Sequence, residues 1–227
     1  MTQRDITIKR LIHEFGPVTI DHLIALAGKE DIGSPQTLWR RLKLDQPLLQ
    51  DGVYLKKRTR SEKYVYATFD IRKRKGFDHD LMVTSILITL YLHFDLQTWQ
   101  RPKEKFHGRL NEDLYAVLGL PSGQVHYFIE ADTGSEGYAQ IQDKVRRYLR
   151  HYEDKREGFI VLFVTQDERR VKDLCRRLEG TIPRGKRRMF LFTSIDQITA
   201  EPQGEICRLS HDTTFYGILP RLTQEPR

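Results

Sequence analysis

Residues 124–132, QVHYFIEAD, alternate strictly between two faces, and this alternation constrains the fold more than any other stretch. At strand period, Val125, Tyr127, Ile129 and Ala131 share one side, with His126, Phe128, Glu130 and Asp132 on the other. A strand that carries two carboxylates to its tip must offset the cost of partly desolvating them, so a cation is expected close by. The next segment, EGYAQIQDKVRRYLRHYE, has helical spacing, with Tyr138, Ile141, Val145, Tyr148 and Tyr152 on its inward stripe. Lys144 lies at the edge of that stripe, where its ammonium can extend toward the acids, while Arg146, Arg147 and Arg150 point elsewhere.

The texture around this unit is α/β from Phe77 onward. An apolar helix over 79–94 precedes a polar stretch with Trp99, the strand LYAVLGL, the turn PSG and the strand just described. After the helix come the strand GFIVLFVT, the helix ERRVKDLCRRLEG, the strand RMFLFTS and a short helix near Ile195. This order predicts a mixed sheet flanked by helices, with an antiparallel hairpin at its start. The hairpin sets Asp113, just before LYAVL, beside Glu130 and Asp132. Three acids at one point repel unless a divalent cation or Lys144 compensates them. A second reading makes Glu130 and Asp132 caps of the helix N-terminus near Gly134-Ser135, whose dipole favours them without metal.

The formal charge of +7 belongs wholly to the front third: residues 1–76 hold 16 Lys/Arg against 9 Asp/Glu, and the remainder balances at 22 each. Such asymmetry points to an anionic partner, against the alternative of a basic face that is merely solvated. Ile6, Ile8, Leu11, Ile12 and Phe15 form a helical stripe ended by Gly16-Pro17, Thr19 caps a second short helix, and Ser34-Pro35 starts a third, PQTLWRRLKLD. In the third helix Leu38, Leu42 and Trp39 are expected to face inward. That leaves Gln36, Thr37, Arg40, Arg41 and Lys43 as donors for phosphates and base edges. Two β-like runs follow, LLQDGVYLKKR and KYVYATF, the first holding the turn pair Asp51-Gly52, with Lys56, Lys57, Arg58 and Arg60 in the basic connector. Three helices and a basic hairpin look like a winged helix-turn-helix domain over residues 1–70, joined by a basic linker over 71–76, with RKRKG at 72–76, to an α/β domain over 77–227.

Other classes are disfavoured. Cys175 and Cys207 lie far apart with no metal-ligand spacing, and are expected to be thiols in a reducing cytoplasm. The run LMVTSILITLYLHF at 81–94 is too short for a membrane span and reads as a buried helix. No phosphate-binding glycine motif or Ser/His/Asp arrangement is present, and Gly119 and Gly123 flank a hairpin. His79 between Asp78 and Asp80 reads as a helix-start cap, and Arg184, Lys186, Arg187 and Arg188 as a solvated turn.

Asp113, a strand ending near Glu130, and Lys144 on the next helix together resemble the PD-(D/E)XK nuclease core, with the lysine on the helix instead of the strand. More narrowly, a winged helix followed by HDLMVTSILITL, Trp99, EDLYAVL and FIEADTGSEGYAQIQDKVRRY resembles the replication-relaxation family of plasmid and mobile-element proteins, over roughly residues 5–165. Two departures stand out: Glu112-Asp113 replaces Pro-Asp, and Asp132 occupies the place two residues past the acid where the nuclease pattern has lysine. The resemblance implies a restriction-endonuclease-like fold. It also implies Mg²⁺ or Mn²⁺ held by Asp113, Glu130 and Asp132, with Lys144 stabilising charge on a phosphate. The rival expectation is a non-enzymatic regulator or relaxosome accessory factor that binds double-stranded DNA. Its second domain would serve for homodimerisation or for contact with replication or relaxosome proteins.

Overall fold

The computed structural model describes residues 2–43, 47–56, 64–69, 77–101, 110–202, 205–208 and 215–216. The expected linker 71–76 lies outside them, as do Lys57, Arg58 and Arg60 of the expected wing. The chain divides into two compact units, Met1–Ile88 and Thr89–Arg227.

The N-terminal unit begins with α1 (Gln3–Phe15), where Thr2 and Asp5 form a reciprocal capping box and Gly16, at φ 82°, ends the helix. Helix α2 (Ile20–Leu26) is capped by Thr19, and α3 (Pro35–Arg41) by Ser34 with Pro35 in its first turn. A single helical turn, α4 (Pro47–Gln50), follows. Strands β1 (Val18–Thr19), β2 (Tyr54–Lys56) and β3 (Val65–Ala67) form an antiparallel sheet in the order β1-β3-β2. The three expected helices are present, with α4 as a fourth, and β2 pairs antiparallel with β3. Leu48-Leu49-Gln50 is helical instead of extended, however, and Asp51-Gly52 links α4 to β2 instead of lying inside a strand run. Ile8, Leu11, Ile12, Phe15, Leu23, Leu26 and Leu38 form the core. Ile6 falls outside it at 47% exposure, because α1 turns Asp5 inward beside Ile8 instead.

Helix α5 (Phe77–His93) begins in this unit. Phe77 packs with Val65 and Ala67, Thr84 Oγ1 donates to the Phe15 carbonyl at 3.0 Å, and His22 Nε2 lies 3.0 Å from Ser85 Oγ.

In the second unit β4 (Leu96–Gln100), β5 (Leu114–Leu120) and β6 (Gly123–Asp132) run antiparallel. Helix α6 (Tyr138–Lys155) leads to β7 (Ile160–Thr165), α7 (Glu168–Leu178) leads to β8 (Phe190–Ser194), and α8 (Ile195–Ala200) precedes β9 (Glu205–Arg208) and β10 (Phe215–Tyr216). The sheet order is β10-β9-β8-β7-β6-β5-β4, with β6, β7 and β8 parallel. This is the mixed sheet flanked by helices that the sequence predicts. Ile141, Val145, Tyr148, Val171, Leu174 and Leu178 from α6 and α7 pack on Val161, Phe163, Phe190 and Phe192 of the sheet. Gly119 does more than flank the hairpin: its amide donates to the Asp95 carbonyl at 2.8 Å, and a Cβ there would overlap the Asp95 carboxylate.

Burial pushes the His22 imidazole down to about 4, against a smaller upward pull from Asp21. The unfolded chain therefore binds a proton that the folded unit refuses. The stabilisation from neutral His22 is complete above about 6.5 and is lost as pH falls toward about 4. Denaturant titrations of wild type and His22→Gln between pH 7 and pH 4 should show wild type losing more stability; parallel curves would contradict this.

Candidate functional site

Glu130 and Asp132 reach the helix-covered side of β6 as the alternation requires, and both are buried. Each has its own cation. Lys144 Nζ on α6 lies 2.7 Å from Glu130 Oε2 and 2.7 Å from Glu136 Oε1. The Tyr148 hydroxyl, one turn further along α6, donates to Glu130 Oε1 at 2.5 Å. Asp132 Oδ2 accepts from Arg170 Nε at 2.8 Å, and Arg170 also donates to the Glu136 carbonyl at 2.8 Å, tying α7 to the β6–α6 connection. Asp132 Oδ1 accepts from the Gly134 amide at 2.8 Å, a local turn. The capping reading is therefore met in part: Asp132 holds the turn, but α6 starts later, with Gly137 as its N-cap, and Glu130 is engaged by side chains.

Asp113 stands next to the pair, since its amide donates to the Ile129 carbonyl at 3.1 Å and its Oδ2 accepts from the Ala131 amide at 2.8 Å. Its charge is felt at Glu130. Burial pushes the Glu130 carboxyl up to about 7, opposed by Lys144 and Tyr148 and assisted by Asp113. Burial alone would lower the Lys144 ammonium, but Glu130 and Glu136 outweigh it and hold Lys144 above the ordinary lysine range. Desolvation and the Glu130 charge together keep the Tyr148 hydroxyl protonated well beyond its usual range.

The structure thus unites Asp113, Glu130 and Lys144 and turns Asp132 away to Arg170. Tyr148, Glu136 and Arg170 complete the network without having been expected from sequence; the one available signal was that a buried tyrosine hydroxyl needs a partner. The donors as arranged do not fit a divalent cation. Lys144 and Tyr148 engage the two oxygens of Glu130, Asp132 is bound to Arg170 and Gly134, and among the described residues no group of three His, Cys, Asp or Glu is placed to hold a metal ion.

In the N-terminal unit, α3 divides its polar residues. Gln36 and Arg40 are exposed, as is Lys43 just past the helix end, while the Thr37 hydroxyl lies 3.2 Å from Ser34 Oγ at the cap. Arg41 faces α1: its NH1 lies 2.7 and 2.8 Å from the two oxygens of Asp5, whose carboxyl is nearly inaccessible. Asp5 also accepts from the Thr2 amide at 2.7 Å. Arg41 therefore fastens the helix and is not on the outer face with Arg40. Trp39, expected inward, is 49% exposed, because Leu38, Arg41 and Leu42 take the inner side. Lys56 ends β2 with its ammonium 5.2 Å from the Phe77 ring centroid. Among the lesser candidates, Arg187 pairs with Glu179 at 3.2 Å and Lys186 sits over the Tyr152 ring, so the 184–189 turn is only partly solvated.

The family model described as replication-relaxation matches residues 46–162, just over half of the 227 residues. The chain belongs to the replication-relaxation family. The matched span carries Asp113, Glu130, Asp132 and Lys144 and starts after α3. No curated protein and no solved structure matches the chain. Among the described residues no helix of this family member is long and apolar enough to cross a membrane.

Two substitutions test the geometry. Lys144→Met removes the cation from a buried carboxylate and should cost on the order of 3 kcal/mol at pH 8. The cost should be smaller at pH 5, because Glu130, with a folded-state pKa of about 7 against 4.5, is largely protonated there. Urea titrations at both pH values decide this, and Glu130→Gln combined with Lys144→Met should recover part of the loss. Arg41→Ala should cost about 1–3 kcal/mol by leaving Asp5 without its cation, whereas Arg40→Ala should leave the melting temperature within about a degree or two of wild type. Equal melting temperatures for the two variants would refute the division of roles on α3.

Proposed function

We propose that this protein binds duplex DNA through the outer face of α3 and serves plasmid or mobile-element replication or mobilisation as an accessory factor that does not itself cut DNA. Membership of the replication-relaxation family supports the biological setting. The observation that carries the DNA-binding reading is the sorting of α3: Gln36 and Arg40 face solvent, the exposed Lys43 follows just past the helix end, and no acid occurs between Pro35 and Lys43. A helix with this face suits the major groove, where its cations meet phosphates and its amide reaches base edges. The excess of positive charge in residues 1–76 acts in the same direction by attracting the polyanion over a longer range.

The non-cleaving part of the reading rests on the acid centre. In the family-implied alternative, Asp113, Glu130 and Asp132 would hold Mg²⁺ or Mn²⁺ and Lys144 would act on the phosphate. That arrangement would require Lys144 to give up Glu130, and Arg170 to give up Asp132. A buried carboxylate freed in this way loses its compensation, so the internal pairs compete with any metal.

The test uses the full-length protein. Binding to duplex DNA should weaken with salt at a log–log slope of roughly −4 to −5 if about five phosphates are neutralised, and Arg40→Ala and Lys43→Ala should each reduce that slope by about one. A flat salt response would exclude α3 as a DNA reader. Supercoiled plasmid incubated with Mn²⁺ should remain uncut; nicking that disappears in Glu130→Gln would establish the cleaving alternative instead.

A further inference from the structure

On α3 the exposed residues are not only polar. Gln36, Trp39 and Arg40 follow the i, i+3, i+4 spacing of one helical face, Trp39 has 49% of its surface open, and Lys43 is exposed just past the end of the helix. The inner face is fully used by Leu38, Arg41 and Leu42, so the indole has no place in the core. An exposed tryptophan is costly in water and is usual at contact surfaces, where its flat ring buries a large area with few torsions to immobilise. Its neighbours indicate the kind of partner. Arg40 is next to it, Lys43 follows just past the helix end, and the absence of acids from Pro35 to Lys43 makes this segment complementary to a polyanion rather than to an ordinary mixed-charge protein surface.

The geometry points to Trp39 as a specificity residue that reads thymine C5-methyl groups in the major groove, an inference that rests on the DNA-binding reading of α3. With Arg40 on a phosphate or guanine edge and Gln36 reaching adenine, the indole on the same face would be carried into the groove alongside the base edges. The thymine methyl is the apolar group that a base pair presents there. Gln36, one turn before Trp39, offers the bidentate amide that suits adenine, so the two residues together favour A·T steps.

The experiment compares three duplexes of about 20 base pairs: alternating dA–dT, alternating dA–dU, which differs only in lacking the methyl groups, and alternating dG–dC. Full-length wild-type protein should bind dA–dT more tightly than dA–dU by about fourfold for each methyl buried. Trp39→Ala and Trp39→Gln should bind dA–dT and dA–dU alike, and their melting curves should match wild type because the side chain is outside the core. Equal wild-type affinity for dA–dT and dA–dU overturns the inference while leaving DNA binding intact. A methyl preference that persists in both variants also overturns it. Variants with unchanged affinity for all three duplexes overturn it too and assign the indole to a protein partner. Failure of wild type to bind any of the three duplexes removes the DNA-binding reading itself, and the inference with it.

Discussion

The second unit is organised around the need to neutralise carboxylates that the β6 alternation carries into the protein. Glu130 and Asp132 are buried on the helix-covered side of the sheet, and neither is left with only the field of a helix terminus to stabilise it. Glu130 takes the Lys144 ammonium and the Tyr148 hydroxyl from α6, and Asp132 takes the Arg170 guanidinium from α7. Each helix is therefore fastened to the strand by a directional contact as well as by the apolar layer of Ile141, Val145, Val171 and Leu174. Apolar packing tolerates small slides of a helix over a sheet; a buried ion pair at 2.7–2.8 Å does not. The register of α6 and α7 on the sheet follows from where the two acids lie.

The same economy operates in the N-terminal unit at smaller scale. Asp5 closes the capping box of α1 and accepts Arg41 of α3, so one carboxylate both starts a helix and orients another. Arg40 and Arg41 are adjacent and chemically identical, yet a rotation of about 100° per residue gives one to solvent and the other to α1. The outer face of α3 is presented because its inner face is held by charge as well as by Leu38 and Leu42.

Much of this architecture could be read from sequence, and the failures have physical causes. Strands β5 and β6 have clean alternation, and α7 starts at Glu168 as its pattern indicates, so these elements agree with expectation to within a residue or two. Strand β4 escaped because a bulge between Leu96 and Thr98 breaks its two-residue period. The meeting of Lys144 with Glu130 was legible because both flank a short connection whose geometry periodicity defines. Arg170 and Glu136 were not, since periodicity gives the face of a helix but not which long side chain crosses to a neighbouring element. Arg41 resembled a surface arginine for a related reason: its partner is a buried acid 36 residues earlier, whose own burial is visible only once α1 is in place.

Lys144 spans both ends of the β6–α6 connection, touching Glu130 in the strand and Glu136 just before the helix, and so closes the segment 130–144 into a charged clasp. Bringing together the ends of so short a segment costs little chain entropy. Its strength nevertheless depends on the exclusion of water from the sheet face, which is complete only when α6 has docked through Tyr148 and Val145. Lifting α6 from the sheet would readmit water to the pair and weaken it, so the clasp strengthens the same docking that shelters it.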